Sequence, residues 1–154
     1  MNLFKKILVP FDGSAPSREG LKRAIALGKN QHARLRLLHV VDEHALIQSM
    51  EPNLNVGELL DSLVEGGHQL LAEAAATAKK HGAKADTVLY ELRLGRVADR
   101  IVDEAAKWHA DVIVMGTHGR RGIGRLVMGS DAEAVVRATP VPVLLVKGGA
   151  SKRR

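Results

Sequence analysis

The chain lacks cysteine entirely and is poor in aromatic residues. Its 154 residues include one Trp, one Tyr and two Phe, and 45% of them are hydrophobic. The absence of cysteine excludes disulfide bonds, thiolate metal sites and a cysteine nucleophile. Because aromatic residues are so few, the core must be built from Ala, Val, Leu and Ile, which is typical of strands covered by helices on both faces.

Long apolar runs are missing as well. No segment approaches the roughly 20 apolar residues of a membrane span, and the amino terminus has two lysines but no apolar stretch of a secretory signal. We therefore expect a soluble, cytoplasmic protein without a membrane partner, and the lack of cysteine is compatible with a reducing compartment. Length and even composition predict one domain over residues 1–147, followed by a basic, disordered tail over residues 148–154.

Positive charge exceeds negative charge. Lys and Arg number 23 against 17 Asp and Glu, which gives a formal net charge of +6. Part of the excess lies in one loop, at Arg120, Arg121 and Arg125, and a basic balance favours an anionic partner. Neither a helix-turn-helix nor an aromatic base-stacking surface accompanies these cations, so we expect no specific nucleic-acid partner.

Apolar runs typical of buried strands alternate with helical periodicity along the chain. The predicted strands cover residues 4–10, 35–41, 85–92, 111–116 and 141–146. This alternation predicts a doubly wound α/β domain, with one parallel sheet, right-handed crossovers and helices on both faces. In such sheets ligands bind at the carboxyl ends of the strands, where successive crossovers leave in opposite directions.

Local signals mark the predicted helices and the longest loop. Ser14 with Pro16 in the first turn starts the first helix, and a long helix that is rich in Leu and Ala ends at His81. Residues 42–57 form the longest irregular connection, which either covers a site or is mobile.

A glycine-rich segment, residues 116–130, joins the fourth predicted strand to a helix start. The first turn of a helix leaves backbone N–H groups unpaired, and such donors suit an anion. The segment is not a Walker loop, because Arg125 follows Gly124 where a lysine is needed. It is not a dinucleotide fingerprint either, because Val127 stands where that motif needs a small residue.

The remaining pattern is a glycine spacing: Gly116, two residues, Gly119, nine residues, then Gly129 and Ser130. Glycine at these positions permits close approach of the backbone to a ligand. The spacing resembles the signature of the universal stress protein family, in its nucleotide-binding branch. The likeness extends to ILVPFDGS, LLHVVD and TPVPVLLV, which begin at residues 7, 37 and 139, so it covers almost the whole chain.

The resemblance implies a fold and a ligand. The fold is a sheet of five parallel strands in the order 3-2-1-4-5, like that of adenine nucleotide alpha hydrolases, with the crossover direction reversing between strands one and four. The ligand is ATP with Mg²⁺ in that crevice, with adenine near Val40 and the ribose and metal near Asp12. The implied nucleotide-binding residues are Pro10, Asp12, Val40, Met115, Gly116, His118, Gly119, Arg120, Gly129 and Ser130, and Asp12 also serves the metal.

Several of these residues have simpler structural roles open to them. Ser130 with Glu133 matches a capping box, so the hydroxyl caps the helix, contacts phosphate, or does both. Asp12 either shapes the turn with Gly13 or contacts the nucleotide and Mg²⁺. Arg120 belongs to a basic loop that is either solvated or binds phosphate through its guanidinium group.

Asp131 departs from the family pattern, in which a small or apolar residue is more typical at this position. A carboxylate in the first helical turn stabilises the empty helix through the macrodipole, but it competes with phosphate for the same field. We therefore expect Asp131→Ala to strengthen ATP binding at low salt.

The sequence supports two functional hypotheses of different classes. The first is an ATP-binding universal stress protein that acts as a nucleotide-dependent sensor or regulatory module, with slow or no hydrolysis, because no phosphate-loop lysine, general base or arginine finger is recognisable. The second is a stress-associated protein-interaction module with weak nucleotide binding. It would form a homodimer, with tetramers as an open alternative, through the apolar edge strand that begins at Val141 and ends at Val146.

Overall fold

A five-stranded parallel sheet forms the centre of the computed structural model, which describes residues 3–117 and 128–147. The strands of this part are β1 (Lys6–Pro10), β2 (Arg34–Asp42), β3 (Lys84–Leu92), β4 (Val112–Thr117) and β5 (Val143–Lys147). Their order is β3-β2-β1-β4-β5, which confirms the predicted fold class and strand order. The crossover direction therefore reverses between β1 and β4, and a crevice opens at their carboxyl ends.

Helices cover both faces of the sheet. Those of the described residues are α1 (Ala15–Gln31), α2 (Glu43–Ser49), α3 (Val56–Lys80), α4 (Val97–Trp108) and α5 (Ser130–Ala138). Apolar residues of α1 and α3 share one buried cluster with the sheet, whereas those of α4 and α5 share the other. Within the described helices, none has the length and apolar character needed to cross a membrane.

The core follows from the alternation of side chains along each strand. In β1, Ile7 and Val9 belong to the cluster with α1 and α3, whereas Leu8 belongs to the cluster with α4 and α5. All three side chains are fully buried. Because both faces are covered, the central strands read as continuous apolar runs.

Hydrogen bonds to two hydroxyl side chains mark the start of the first helix and the segment before the last strand. Ser14 caps α1 by accepting the N–H of Ser17 at 3.3 Å, and Pro16 lies in the first turn, as predicted. The last strand begins at Val143, two residues later than predicted. The hydroxyl of Thr139 accepts the N–H of Val141 at 3.0 Å and so holds that residue in a turn. The predicted tail, residues 148–154, lies outside the described residues.

Residues 42–57 are not the irregular connection that the sequence predicted, because they include α2. Asp42 caps this helix by accepting the N–H of Ala45 at 3.0 Å, and Asn55 caps α3 by accepting the N–H of Glu58 at 3.1 Å. The prediction was wrong for a physical reason. A seven-residue helix with no buried residue shows no apolar periodicity by which it could be recognised.

Candidate functional site

A cleft of about 450 Å³ opens at the carboxyl ends of β1 and β4, where the crossover direction reverses. The turn after β1, the end of β2 and the first turns of α1, α4 and α5 form its walls. The residues that line it are Pro10, Phe11, Asp12, Ser14, Ala15, Pro16, Ser17, Leu38, His39, Val40, Val97, Ile101, Met115, Gly116, Gly129, Asp131 and Ala132.

The structure brings six of the predicted site residues together around this cleft. They are Pro10, Asp12, Val40, Met115, Gly116 and Gly129. Ser130 is not part of the lining, and its exposed side chain belongs to the first residue of α5, directly beside the cleft. His118, Gly119 and Arg120 lie outside the described residues.

Asp12 follows β1 and is held by the start of α1. One oxygen of its carboxylate accepts the backbone N–H of Ser14 at 2.9 Å, so the turn-shaping role is present. Burial raises the pKa of Asp12, but hydrogen bonds with Ser14 and Ser17 and the charge of nearby His39 outweigh it, so the pKa lies below its ordinary value. Asp12 is therefore ionised at neutral pH and presents a negative charge to the cleft.

The first turn of α5 has no side-chain cap, which corrects the predicted capping box. The N-cap residue is Gly129, which has no side chain to accept a hydrogen bond, and Ser130 is already helical. Instead of reaching back to the N-cap, the carboxylate of Glu133 pairs with Arg137 at 3.2 Å. The helix therefore begins in the cleft without a cap from the side chain of its own N-cap residue, and a helix start of this kind favours an anion.

Part of the cleft lining is apolar. Val40 and Leu38 of β2 and Val97 and Ile101 of α4 form this part, and Ile101 is only 2% exposed. Such a wall suits a flat heteroaromatic ring, with a few polar groups of the lining to fix its orientation. Val97, Ile101 and His39 are not among the predicted site residues. Their positions at a strand end and a helix start, facing the crevice, are the signal that could have found them.

A polar network around one buried carboxylate holds α4, and with it the apolar wall. Glu104 of α4 is 3% exposed and accepts hydrogen bonds from Arg36 at 2.8 Å and from the hydroxyl of Tyr90 at 2.8 Å. Arg36 also pairs with Asp86 at 2.9 Å. Hydrogen bonding to Asp86 and then to Glu104 raises the pKa of Arg36 despite partial burial, so the guanidinium charge is permanent. Both oxygens of the buried carboxylate are therefore satisfied, and α4 is tied to β2 and β3.

Among the described residues, two carboxylate side chains line the cleft: Asp12 after β1 and Asp131 in the first turn of α5. Across residues 3–117 and 128–147, no three His, Asp or Glu side chains converge to form a metal site. Mg²⁺ is nevertheless commonly bound by one or two carboxylates together with substrate phosphates and water. The carboxylate of Asp12 therefore fits a cation that arrives with a phosphate ligand.

Comparison with known proteins identifies the family. The family model described as the universal stress protein family matches residues 3–147. Among curated relatives, universal stress protein MJ0531 of Methanocaldococcus jannaschii is 39% identical over 147 residues, which are 95% of this chain and 84% of that protein. Universal stress protein YxiE of Bacillus subtilis is 30% identical, with 94% of this chain and 100% of the relative covered. The chain belongs to the universal stress protein family.

Solved structures share the fold over nearly the full length. The structure of MJ0577, a universal stress protein of Methanocaldococcus jannaschii, superposes with a TM-score of 0.79 at 29% identity, covering 97% of this chain and 99% of that one. A universal stress protein solved in complex with cAMP superposes with a TM-score of 0.65 at 25% identity, covering 95% of this chain and 98% of that one. That relative thus holds an adenine nucleotide on this fold.

Proposed function

We propose that this protein binds ATP with Mg²⁺ in the cleft and acts in the cytoplasm as a nucleotide-dependent sensor or regulatory module of the stress response. The observation that carries the proposal is the uncapped first turn of α5, which opens into the same cleft as the ionised Asp12. The cAMP complex of a relative supports an adenine nucleotide as the ligand class.

The proposed pose follows the chemistry of the apolar and the polar residues that line the cleft. Adenine packs against Val40, Val97 and Ile101, and the phosphates accept hydrogen bonds from the first turn of α5 at Gly129. Ser130 and the loop residues predicted from the glycine spacing, among them His118, Gly119 and Arg120, extend the phosphate contacts.

Mg²⁺ would enter with the nucleotide and neutralise part of the phosphate charge. Asp12 is the residue that would hold it, because its lowered pKa keeps the carboxylate charged at neutral pH. No phosphate-loop lysine, general base or arginine finger is recognisable in the sequence, and the proposal therefore includes slow or no hydrolysis of the bound nucleotide.

One substitution should weaken nucleotide binding without destabilising the fold. Gly129→Asp places a carboxylate at the N-cap of α5, where Asp is favoured and where the backbone, at φ −65° and ψ 158°, accepts any residue. The new side chain takes the N–H groups that the phosphates need and adds negative charge. We expect MgATP affinity by isothermal titration calorimetry to fall at least about tenfold, while the unfolding midpoint stays level or rises.

Asn55→Asp is the matched control, because it introduces the same charge at the N-cap of α3, outside the cleft. It should leave MgATP affinity unchanged. The proposal is wrong if the wild-type protein binds no MgATP, or if Gly129→Asp binds it as tightly as the wild type. Mass spectrometry of natively purified protein, with a co-purified adenine nucleotide as the expected result, gives independent support.

A second candidate function, a dimeric interaction module with incidental nucleotide binding, is favoured by the edge strand β5. Among the described residues it pairs with β4 on one side only, and Leu144 on it is 44% exposed. An apolar edge without a partner is an aggregation hazard. Sedimentation velocity with and without ATP tests this function. Three results together would favour it: the wild type is a dimer with and without ATP, Leu144→Lys is a monomer, and the protein binds no ATP.

A further inference from the structure

His39 connects the end of β2 to the turn that carries Asp12. Its Nδ1 lies 2.8 Å from the carbonyl oxygen of Phe11. Since a carbonyl oxygen only accepts, Nδ1 carries the hydrogen and donates it. The N–H of Phe11 in turn donates to the carbonyl oxygen of Leu38 at 2.7 Å. Both backbone polar groups of Phe11 are thus tied to β2, one residue before Asp12.

Gly67 of α3 leaves the space that the imidazole ring occupies. A Cβ at this position would lie 2.7 Å from Cδ2 of His39 and 2.8 Å from Cδ1 of Leu89, closer than nonbonded carbon atoms approach. A Cβ at the neighbouring Gly66 would meet nothing within 4 Å. Because glycine inside a helix costs about 1 kcal/mol relative to alanine, the contact with His39 gives a physical reason for glycine at 67 only.

We propose that His39, seated against Gly67, is a positioning residue for Asp12. The imidazole donor fixes the carbonyl of Phe11, which is the peptide group that leads into Asp12, and so sets the direction of the carboxylate. The inference rests on the proposed ATP site and deepens it. The His39–Gly67 contact supports the part of nucleotide affinity that depends on Mg²⁺, because the adenine wall is formed by Val40 and α4 instead.

The test compares three ligands on the full chain by calorimetry: ATP with Mg²⁺, ATP with a chelator, and the free base adenine. His39→Leu removes the imidazole N–H donor and puts an apolar side chain of moderate size in its place. The quantity compared is the factor by which Mg²⁺ raises the affinity for ATP. We expect this factor to be at least about fivefold smaller in His39→Leu than in the wild type, a change that corresponds to the loss of about one hydrogen bond. The variant's affinity for adenine should stay within about twofold of the wild-type value, since Val40, Val97 and Ile101 are unchanged.

A conservative variant and a distant one sharpen the test. The amide nitrogen of His39→Asn can stand where Nδ1 stands, so this variant should recover most of the Mg²⁺-dependent gain. Gly67→Ala, a substitution in α3, should cause the same loss of Mg²⁺-dependent affinity as His39→Leu, because its methyl group displaces the imidazole ring. Gly66→Ala is the matched control and should cause no loss.

The outcomes distinguish this inference from the function on which it rests. If the wild-type protein binds no ATP, both are wrong. If the wild type binds ATP and His39→Leu keeps the full Mg²⁺-dependent gain, only the positioning role is overturned. An equal loss for adenine and MgATP also overturns it, because that pattern would show a merely structural histidine.

Discussion

Gly116, at the carboxyl end of β4, lies against the carbonyl group of Pro16 in the first turn of α1. A Cβ at position 116 would overlap that carbonyl group. One turn further along α1, a Cβ on Gly20 would lie 3.2 Å from the backbone nitrogen of Gly116, so the two elements touch over more than one residue. The fold therefore requires glycine at 116 whatever ligand the cleft holds, and loss of ligand in a Gly116 variant would not by itself report on binding.

Gly116→Ala should destabilise the protein severely. The neighbouring atoms belong to backbone and cannot rotate away, so the chain must shift β4 or α1, and we expect a loss of about 3 kcal/mol in unfolding free energy. Urea denaturation followed by circular dichroism measures the loss. Gly66→Ala is the control, with equal or higher stability because its methyl group enters open space. Equal unfolding midpoints for Gly116→Ala and the wild type would refute the steric argument.

Tyr90→Phe should cost about 1–3 kcal/mol of unfolding free energy, because it leaves one oxygen of the buried Glu104 carboxylate without its hydrogen bond. Arg137→Ala, which breaks the exposed pair with Glu133, should change stability by less than about 0.5 kcal/mol. Denaturant titration of both variants gives the comparison. Similar losses for the two would mean that the network around α4 contributes no more than a surface ion pair.

Stability should depend on pH through Asp12. Its pKa in the folded protein lies below the ordinary value of 3.8, so folding favours the ionised form. The resulting stabilisation is present above about pH 4 to 5 and is lost as the pH falls through the lower pKa of the folded state. The difference in unfolding free energy between the wild type and Asp12→Asn should therefore shrink on acidification from pH 6 to pH 3. A difference that grows over this range would reverse the sign of the effect.

Asp131→Asn should strengthen MgATP binding about two- to fivefold at low salt, because a charge that competes with phosphate at the start of α5 is removed. Glu133→Gln is the control. It neutralises a carboxylate in the same helical turn that is not part of the cleft lining. The gain should diminish as ionic strength rises. Weaker or unchanged binding in calorimetry at low salt would contradict the competition.

The fold follows closely from the sequence, because its signals are local and repeated. Continuous apolar runs mark strands that are covered on both faces, and the capping pattern at Ser14 places the first helix. The glycine spacing, through the family resemblance, also indicated where the crossover direction reverses. The short helix α2 was not predicted, because none of its residues is buried and its sequence has no apolar periodicity.

Parts of the candidate site depend on contacts that sequence patterns do not carry. The Ser130–Glu133 spacing fits a capping box, yet the chain enters α5 one residue earlier, and Gly129 takes the extended N-cap conformation. The approach of His39 to Gly67 joins a strand to a helix 28 residues further along the chain, with no periodicity that links them. Such features arise from how the elements pack, and a single sequence shows only that each residue is compatible with them.

A crystal structure of the full chain grown with excess MgATP would test the proposed site most directly. We expect density for the phosphates at the first turn of α5 beside Gly129, for the adenine ring against Val40 and Ile101, and for Mg²⁺ between Asp12 and the phosphates. A structure at saturating nucleotide in which this cleft is closed by side chains, or in which ATP binds elsewhere, would contradict the proposed site.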